Sequence, residues 1–434
     1  GATQLYLTFT GAAGGAKNIK LIRPGYAADT TQVFTNEFLA AIAPFQTLRL
    51  MDYLQTNNNP VVNWADRSHV TDADQTSSKG AAWEYAIELA NETHKDLWIN
   101  IPEGATDDYV TQLAELFKNT LDPSLHVYVE YSNEVWNSSF LQNSENNANA
   151  LTVEAQDPSN LNYDNSDNVY YWGWRQVANR LIEIRDDFAG VYGEAAINTT
   201  VRPVLASQIG WGYVLQNQLE YLENRFGSDL SGEIYAVAGA PYMSIGDLTW
   251  SATLTSDQVL DALRQNLADI QTGIEKYKAL ATYYGVQDLY YEGGVDLTEN
   301  AWGNIAAKIG ANYAAGMESL ISDYLENATE NGVEQVMFFD LAGAYSASGT
   351  YGLTESIADL DGAKYKGVLD AVNDNMPAET AGFALPTGTG AATMDAGSFV
   401  LDQYGNSGSG GNIPGVWGGQ YYSYLINVQS SGDY

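Results

Sequence analysis

The chain has 434 residues, with 19 Lys and Arg against 54 Asp and Glu, a formal net charge of −35 and no cysteine. Such an excess of negative charge repels nucleic acid, anionic membranes and polyanionic substrates. The lack of cysteine excludes disulfides, thiolate metal sites and cysteine nucleophiles.

A content of 45% hydrophobic and 12% aromatic residues is that of a folded chain rather than a disordered one. No apolar run reaches the roughly 18 residues of a membrane helix. The opening GATQLYLTFTG has neither a basic start nor a continuous apolar segment, so it does not read as a signal peptide. The expectation is a mature exported chain, extracellular or periplasmic, acting as a monomer without cofactor, nucleic acid or membrane partner.

In chain order, Leu5–Thr10 alternates like one strand and is followed by a Gly/Ala turn. From Lys17 onward, short runs rich in Val, Ile, Leu and aromatics alternate with longer segments of helical period. The strands this pattern predicts are Ile19–Ile22, Thr47–Met51, Asp96–Ile101, Val127–Tyr131, Val201–Ser207, Ile234–Ala238, Asp288–Tyr291 and Val336–Asp340. The predicted helices are Phe34–Ala43, Lys79–Thr93, Asp107–Asn119, Asn168–Phe188, Tyr213–Arg225, Asp257–Tyr284, Ile305–Glu326 and one within Ser356–Asn373. Eight strands each followed by a helix give an α/β chain, a (β/α)8 TIM barrel over 17–375; a doubly wound open sheet would alternate similarly. Residues 1–16 and 376–434 form a β-rich accessory segment, the latter rich in Gly, Ser, Thr and Tyr. The acidic stretch Asn143–Asp167 is read as a solvated loop walling the mouth, since it lacks the ligand spacing of a calcium loop.

Barrels build their sites from residues just past the strands. Here those include Arg23, Asp52, Asn100, Glu103, Asn133, Glu134, Gln208, Tyr242, Glu292, Asp340 and Tyr345. Only His69, His94 and His126 are histidines, and none is well placed, so a His-bound metal or a Ser-His-Asp triad has little to work with. What remains is carboxylate chemistry. Cleaving a glycosidic bond needs one protonated carboxylic acid and one ionised carboxylate. Glu134 and Glu292 lie three strands apart around the barrel, so both can face its mouth. Asn133 offers an amide to a sugar hydroxyl and Trp136 a stacking face, while Gly293 and Gly294 remove bulk beside Glu292.

SNEVW after the fourth strand and YEGG after the seventh resemble the acid/base and nucleophile segments of the large clan of retaining (β/α)8 glycoside hydrolases that includes cellulases, mannanases, xylanases and β-galactosidases. The resemblance implies Glu134 as general acid/base, Asn133 as partner of the 2-hydroxyl and Glu292 as nucleophile. It implies that Tyr242, in AGAPYM, hydrogen-bonds the nucleophile and that Arg49, in TLRLMDY, orients it. The histidines that many members carry after the third and sixth strands are absent, and FFDLAGAY lacks the usual tryptophan, so neither family nor sugar is assigned.

Trp136, Trp172, Trp174, Trp211, Trp250 and Trp302 fall near the proposed top face, and Trp64, Asp66 and Arg67 lie in a loop that could wall a cleft. Together with Gln208, Asp52 and Tyr345 they favour an endo-acting enzyme on a neutral β-1,4-glycan of cellulose, mannan or xylan type. A retaining pair would hold its carboxyl groups about 5–5.5 Å apart, and burial together with Glu292 would raise the pKa of Glu134. The rival readings are a carbohydrate-binding barrel without catalysis, and a metal-dependent barrel hydrolase using Asp52, Glu103 and Asp340.

Overall fold

The computed structural model describes residues 22, 24–72, 74–251 and 253–373, together with two-residue strands at 387–388, 401–402, 422–423 and 427–428. Within them the elements run α1 (Asn36–Ile42), β1 (Thr47–Arg49), α2 (Trp83–Thr93), β2 (Asp96–Ile101), α3 (Asp107–Thr120), β3 (Val127–Tyr131), α4 (Leu141–Gln156) and α5 (Val169–Tyr192). They continue β4 (Val201–Ala206), α6 (Tyr213–Phe226), β5 (Ala236–Gly239), β6 (Tyr242–Met243), α7 (Ser256–Asp269), α8 (Gln271–Tyr284), β7 (Gln287–Tyr290), β8 (Gly294–Val295), α9 (Ile305–Tyr313), α10 (Ala315–Glu330), β9 (Gln335–Val336) and α11 (Ala363–Asn373).

The main sheet has seven strands in the order β1-β2-β3-β4-β5-β7-β9, and every pairing is parallel. Strand order follows chain order, as helical crossovers require, so the α/β class read from the alternation is what the structure shows. The sheet curls far enough that its edge strands meet through side chains: Thr47 Oγ1 on β1 donates to Gln335 Oε1 on β9 at 2.9 Å. Between those edges lies a cavity of about 390 Å³, lined by Leu48, Leu50, Val336, Phe338 and Leu341. The predicted first strand, Ile19–Ile22, and the strand Leu5–Thr10 lie outside the described residues, save Ile22, which is not in a strand. In the accessory segment only Thr387–Gly388 beside Asn427–Val428 and Leu401–Asp402 beside Tyr422–Ser423 are described.

Alternation along the strands sorts side chains into two cores. Leu97, Ile99 and Ile101 on β2, with Val127, Val129 and Tyr131 on β3, face the helices. Trp98, Tyr128, Val204, Ala236, Ala238, Leu289, Tyr291 and Met337 form the separate interior cluster. There Trp98 and Tyr128 stack at 5.6 Å between ring centroids. Above that layer the interior turns polar: Asn100 and Glu130 are paired in register, and Arg49 is paired with Trp98. Dense apolar packing below and a polar layer above fix which end of the barrel does chemistry.

Three expectations about helices need correction. The stretch expected as a solvated loop overlaps most of α4, whose inward face is Gln142, Asn146, Ala150 and Glu154. That face recurs every four residues, as a helix requires, but three of its four members are polar, so no apolar period marked it. The helix expected over Asp257–Tyr284 is two, α7 and α8, divided at Ile270, and that expected over Ile305–Glu326 is divided at Ala314 into α9 and α10.

Candidate active site

Glu134 sits past β3 in a segment of unusual backbone. Ser132 and Glu134 both have positive φ, 55° and 42°, a region that costs a non-glycine residue about 1–3 kcal/mol. Side-chain amides hold the segment there by capturing its carbonyls. Asn100 Nδ2 donates to Ser132 O at 2.6 Å, Gln142 Nε2 to Asn133 O at 2.8 Å and Asn143 Nδ2 to Val135 O at 2.7 Å. α4 therefore supplies two of the three clamps, one of them from buried Gln142.

Arg49 organises the floor. Its Nη1 donates to Glu292 Oε1 at 2.7 Å, Nε and Nη2 donate to Glu130 Oε2 at 3.1 and 2.9 Å, and Nη2 also reaches Asn133 Oδ1 at 2.8 Å. Burial works against the Arg49 charge, but Glu130 and Glu292 outweigh it and raise its pKa. Glu130 is fully enclosed and also accepts from Trp98 Nε1 and Asn100 Nδ2, each at 2.8 Å. Glu130 is thus an anchor for Arg49 within the barrel interior. Glu292 receives a second donor on its other oxygen, Tyr242 Oη at 2.8 Å. Burial, then the Glu292 charge, keep the Tyr242 phenol protonated far into the alkaline range. The carboxylate of Glu292 thus has both oxygens fixed.

Glu134 accepts from Asn137 Nδ2 on Oε2 at 2.9 Å and from Tyr291 Oη on Oε1 at 3.3 Å. Burial, followed by the charge of Glu292, pushes its pKa from 4.5 up to about 7. Such a carboxyl is protonated in weakly acidic water and becomes a base near neutrality. Two glutamates in one cleft, one fixed by an arginine and a tyrosine and the other poised to exchange a proton, are the ingredients of acid/base-assisted displacement.

The cleft itself, of about 570 Å³, is shared by Asp52, Asn133, Glu134, Trp136, Gln208, Tyr242 and Glu292. Asn57, Asn137, Tyr291, Asp296 and Tyr351 also line it and were not singled out from the sequence. Tyr351 Oη donates to Asp296 Oδ1 at 3.2 Å. The carboxyl of Asp52 is raised by burial, then by the charges of Glu292 and Asp340. Asn133 has its Oδ1 on Arg49 and one N–H on Asn57 Oδ1 at 3.1 Å, which leaves one N–H for a ligand hydroxyl.

Three sequence candidates stand elsewhere. Trp64 packs edge-on against Tyr109 at 5.2 Å, with the Arg67 guanidinium 4.0 Å over its ring, and does not line the cleft. Tyr345 is buried, its hydroxyl on Gly352 O at 3.1 Å and the Lys364 ammonium 4.6 Å from its ring. Trp211 is 45% exposed and packs edge-on against Trp174 at 5.2 Å, beside rather than in the cleft. Gly293 answers to packing, not substrate access: a Cβ there would lie 2.2 Å from Tyr324 Oη. Glu103, a ligand in the metal-dependent reading, accepts instead from Tyr131 and Asn149. Among the described residues no group of three or more His, Asp or Glu could hold a metal ion, and no helix is long and apolar enough to cross a membrane.

No family model and no curated protein matches the chain. Among solved structures it is similar to a 4-O-α-L-rhamnosyl-β-D-glucuronidase from Fusarium oxysporum, at 14% identity and a TM-score of 0.45 over 77% of this chain and 63% of that one. It is also similar to the Penicillium canescens endo-1,4-β-xylanase, at 11% identity and 0.39 over 81% and 92%. A third is a Paenibacillus polymyxa xyloglucanase of glycoside hydrolase family 44, at 10% identity and 0.40 over 69% and 71%. The chain thus spans less than two thirds of the first of these. Likeness at this level leaves the assignment of function to the site itself.

Proposed function

We propose that the chain is a retaining glycoside hydrolase acting on a neutral β-linked glycan. The observation that carries this reading is the asymmetry of the two glutamates. Glu292 is fixed on both oxygens by Arg49 and Tyr242, whereas Glu134, in the same cleft, is raised to about 7.

In the first step Glu292 attacks the anomeric carbon, the glycosidic C–O bond breaks and the leaving oxygen takes the proton of Glu134. The sugar is then held as an ester on Glu292. In the second step Glu134 takes a proton from water, the water oxygen attacks the anomeric carbon and the ester bond to Glu292 breaks. One water is consumed and both glutamates return to their starting states. Once Glu292 is esterified its charge no longer favours the protonated form of Glu134, so the group that gave a proton is ready to accept one.

Neutral substrate chemistry follows from the lining. Asp52, Glu134, Glu292 and Asp296 face the cleft, and among the described residues lining it there is no Lys, Arg or His. Arg49, just beneath, is taken up by Glu130, Glu292 and Asn133. Among the described residues that line the cleft, a uronate would meet four carboxyl groups and no cation. The aromatic faces of Trp136, Phe140 and Tyr351 suit a pyranose, and a β-1,4-glycan of cellulose, mannan or xylan type, cut internally, is the substrate we favour. Incubation with cellulose, mannan, xylan, β-1,3-glucan and galactan, with sizing of the products, tests it. Release of oligosaccharides from one of these is expected, together with loss of hydrolysis but not of binding in Glu134→Gln and Glu292→Gln. No hydrolysis of any of the five by the parent would favour a carbohydrate-binding barrel instead.

A further inference from the structure

Resting on the function proposed above, we propose that Tyr291 and Asn137 are positioning residues that hold Glu134 for the water-activating half of the reaction. Neither is needed to hold Glu292, and neither was marked by its sequence context. Tyr291 directly follows β7 and stands next to Glu292, yet its side chain turns into the interior and reaches the other glutamate. Asn137 lies three residues beyond Glu134, and its backbone N–H closes the turn on Glu134 O at 2.7 Å.

The two contacts divide the carboxyl group between them, Tyr291 on Oε1 and Asn137 on Oε2. An amide N–H₂ can only donate. The Tyr291 phenol, enclosed and flanked by Glu134 and Glu292, keeps its proton, so it donates as well. Two donors on one carboxyl group favour its ionised form. Everything else near Glu134 acts on charge from further away: Glu292 opposes ionisation and Arg49 favours it. Tyr242, Tyr351, Asp52 and Asp296 complete the titratable groups among the described residues lining the cleft. Burial and Glu292 thus serve the proton-donating step, and Tyr291 with Asn137 serve the step in which Glu134 is a base. The arrangement also fixes the direction of the carboxyl, since each oxygen has one donor engaged.

Tyr291→Phe isolates the hydroxyl. The ring that packs in the interior and under the Arg49 guanidinium, 5.2 Å from its centroid, is retained. Asn137→Ala removes the other donor. The direct readout uses the protein alone: carbon NMR of chains labelled at the glutamate side-chain carboxyl, with the Glu134 resonance identified by its loss in Glu134→Gln. Each variant is expected to move the Glu134 titration midpoint upward by about one unit. The kinetic readout uses 2,4-dinitrophenyl β-cellobioside and β-xylobioside, whose leaving group needs no proton, so that the second step limits turnover. Tyr291→Phe is expected to lower kcat about tenfold while kcat/KM stays within about threefold.

An unmoved midpoint in both variants, or kcat and kcat/KM falling together, would overturn the proposal. A parent that hydrolyses neither glycoside nor any glycan of the panel brings down the function itself. A parent that hydrolyses them while the midpoint stays put brings down only the role of Tyr291 and Asn137.

Discussion

Arg49 shows how one side chain ties the stability of this molecule to its chemistry. Its guanidinium serves Glu130, Glu292 and Asn133 at once, a forked geometry that an ammonium cannot copy. Arg49→Lys is therefore expected to lower kcat/KM by more than tenfold while the chain still folds. Arg49→Met strands two enclosed carboxylates, at a cost of about 3–5 kcal/mol readable by denaturant unfolding. Glu134 carries the opposite balance. Its pKa is about 7 when folded and 4.5 as an ordinary glutamate, so the folded chain binds the extra proton between those values. Its contribution to stability is full below pH about 4.5 and is lost as the pH rises through about 7. Glu134→Gln is therefore expected to be inactive yet more stable than the parent at pH 8, by about 1–3 kcal/mol, with the difference shrinking towards pH 5. Thermal unfolding at the two pH values measures it. On the proposed mechanism the same group is expected to set the alkaline limb of kcat/KM in the parent near pH 7, through loss of the proton that the leaving oxygen needs.

Elements with apolar periods were legible in the sequence, and elements with polar inner faces were not. β2 and β3 were placed to the residue because every second side chain is a large hydrophobe facing the helices. α4 was missed because Gln142, Asn146 and Glu154 are buried for their hydrogen bonds rather than for their hydrophobicity. Gln142 shows what such a face does: its amide donates to Asn133 O and Asn57 Oδ1 and accepts from the Asn58 N–H. Gln142→Leu takes this partner from Asn133 O and from the Asn58 N–H inside the protein and leaves Asn57 Oδ1 with the Asn133 N–H alone. It is expected to cost about 1–3 kcal/mol and, by loosening the strained Ser132–Glu134 turn, to lower kcat more than it changes KM. The candidate site was legible only where a strand end carried a carboxylate with neighbours of known chemistry. Tyr291 and Asn137 were hidden because a tyrosine in a strand and an asparagine in a loop each have a commoner structural use. Trp64, Trp211 and Tyr345 misled for the converse reason, since an aromatic near a strand end packs against protein as readily as against sugar.

On the scale of the whole molecule, the charge read from composition and the charge of the cleft have the same sign. A formal charge of −35 and a cleft lined by four carboxyl groups both oppose anionic polymers. Turnover of carboxymethyl cellulose is expected to lag behind that of neutral hydroxyethyl cellulose at low ionic strength, with the gap narrowing as salt screens the repulsion. Equal rates at both salt concentrations would remove charge as a determinant of specificity. The curl of the sheet brings residues past strands β1, β3, β5 and β7 into one cleft, so the whole barrel serves to set Glu292 against Glu134. Trapping with a 2-deoxy-2-fluoro-β-glycoside bearing a dinitrophenyl leaving group, followed by peptide mass spectrometry, tests that claim most directly. The expected result is one fluorosugar esterified to Glu292, in the peptide around YEGG, and none in Glu292→Gln. A label on Glu134, or turnover of the reagent with no label on any residue, would contradict it.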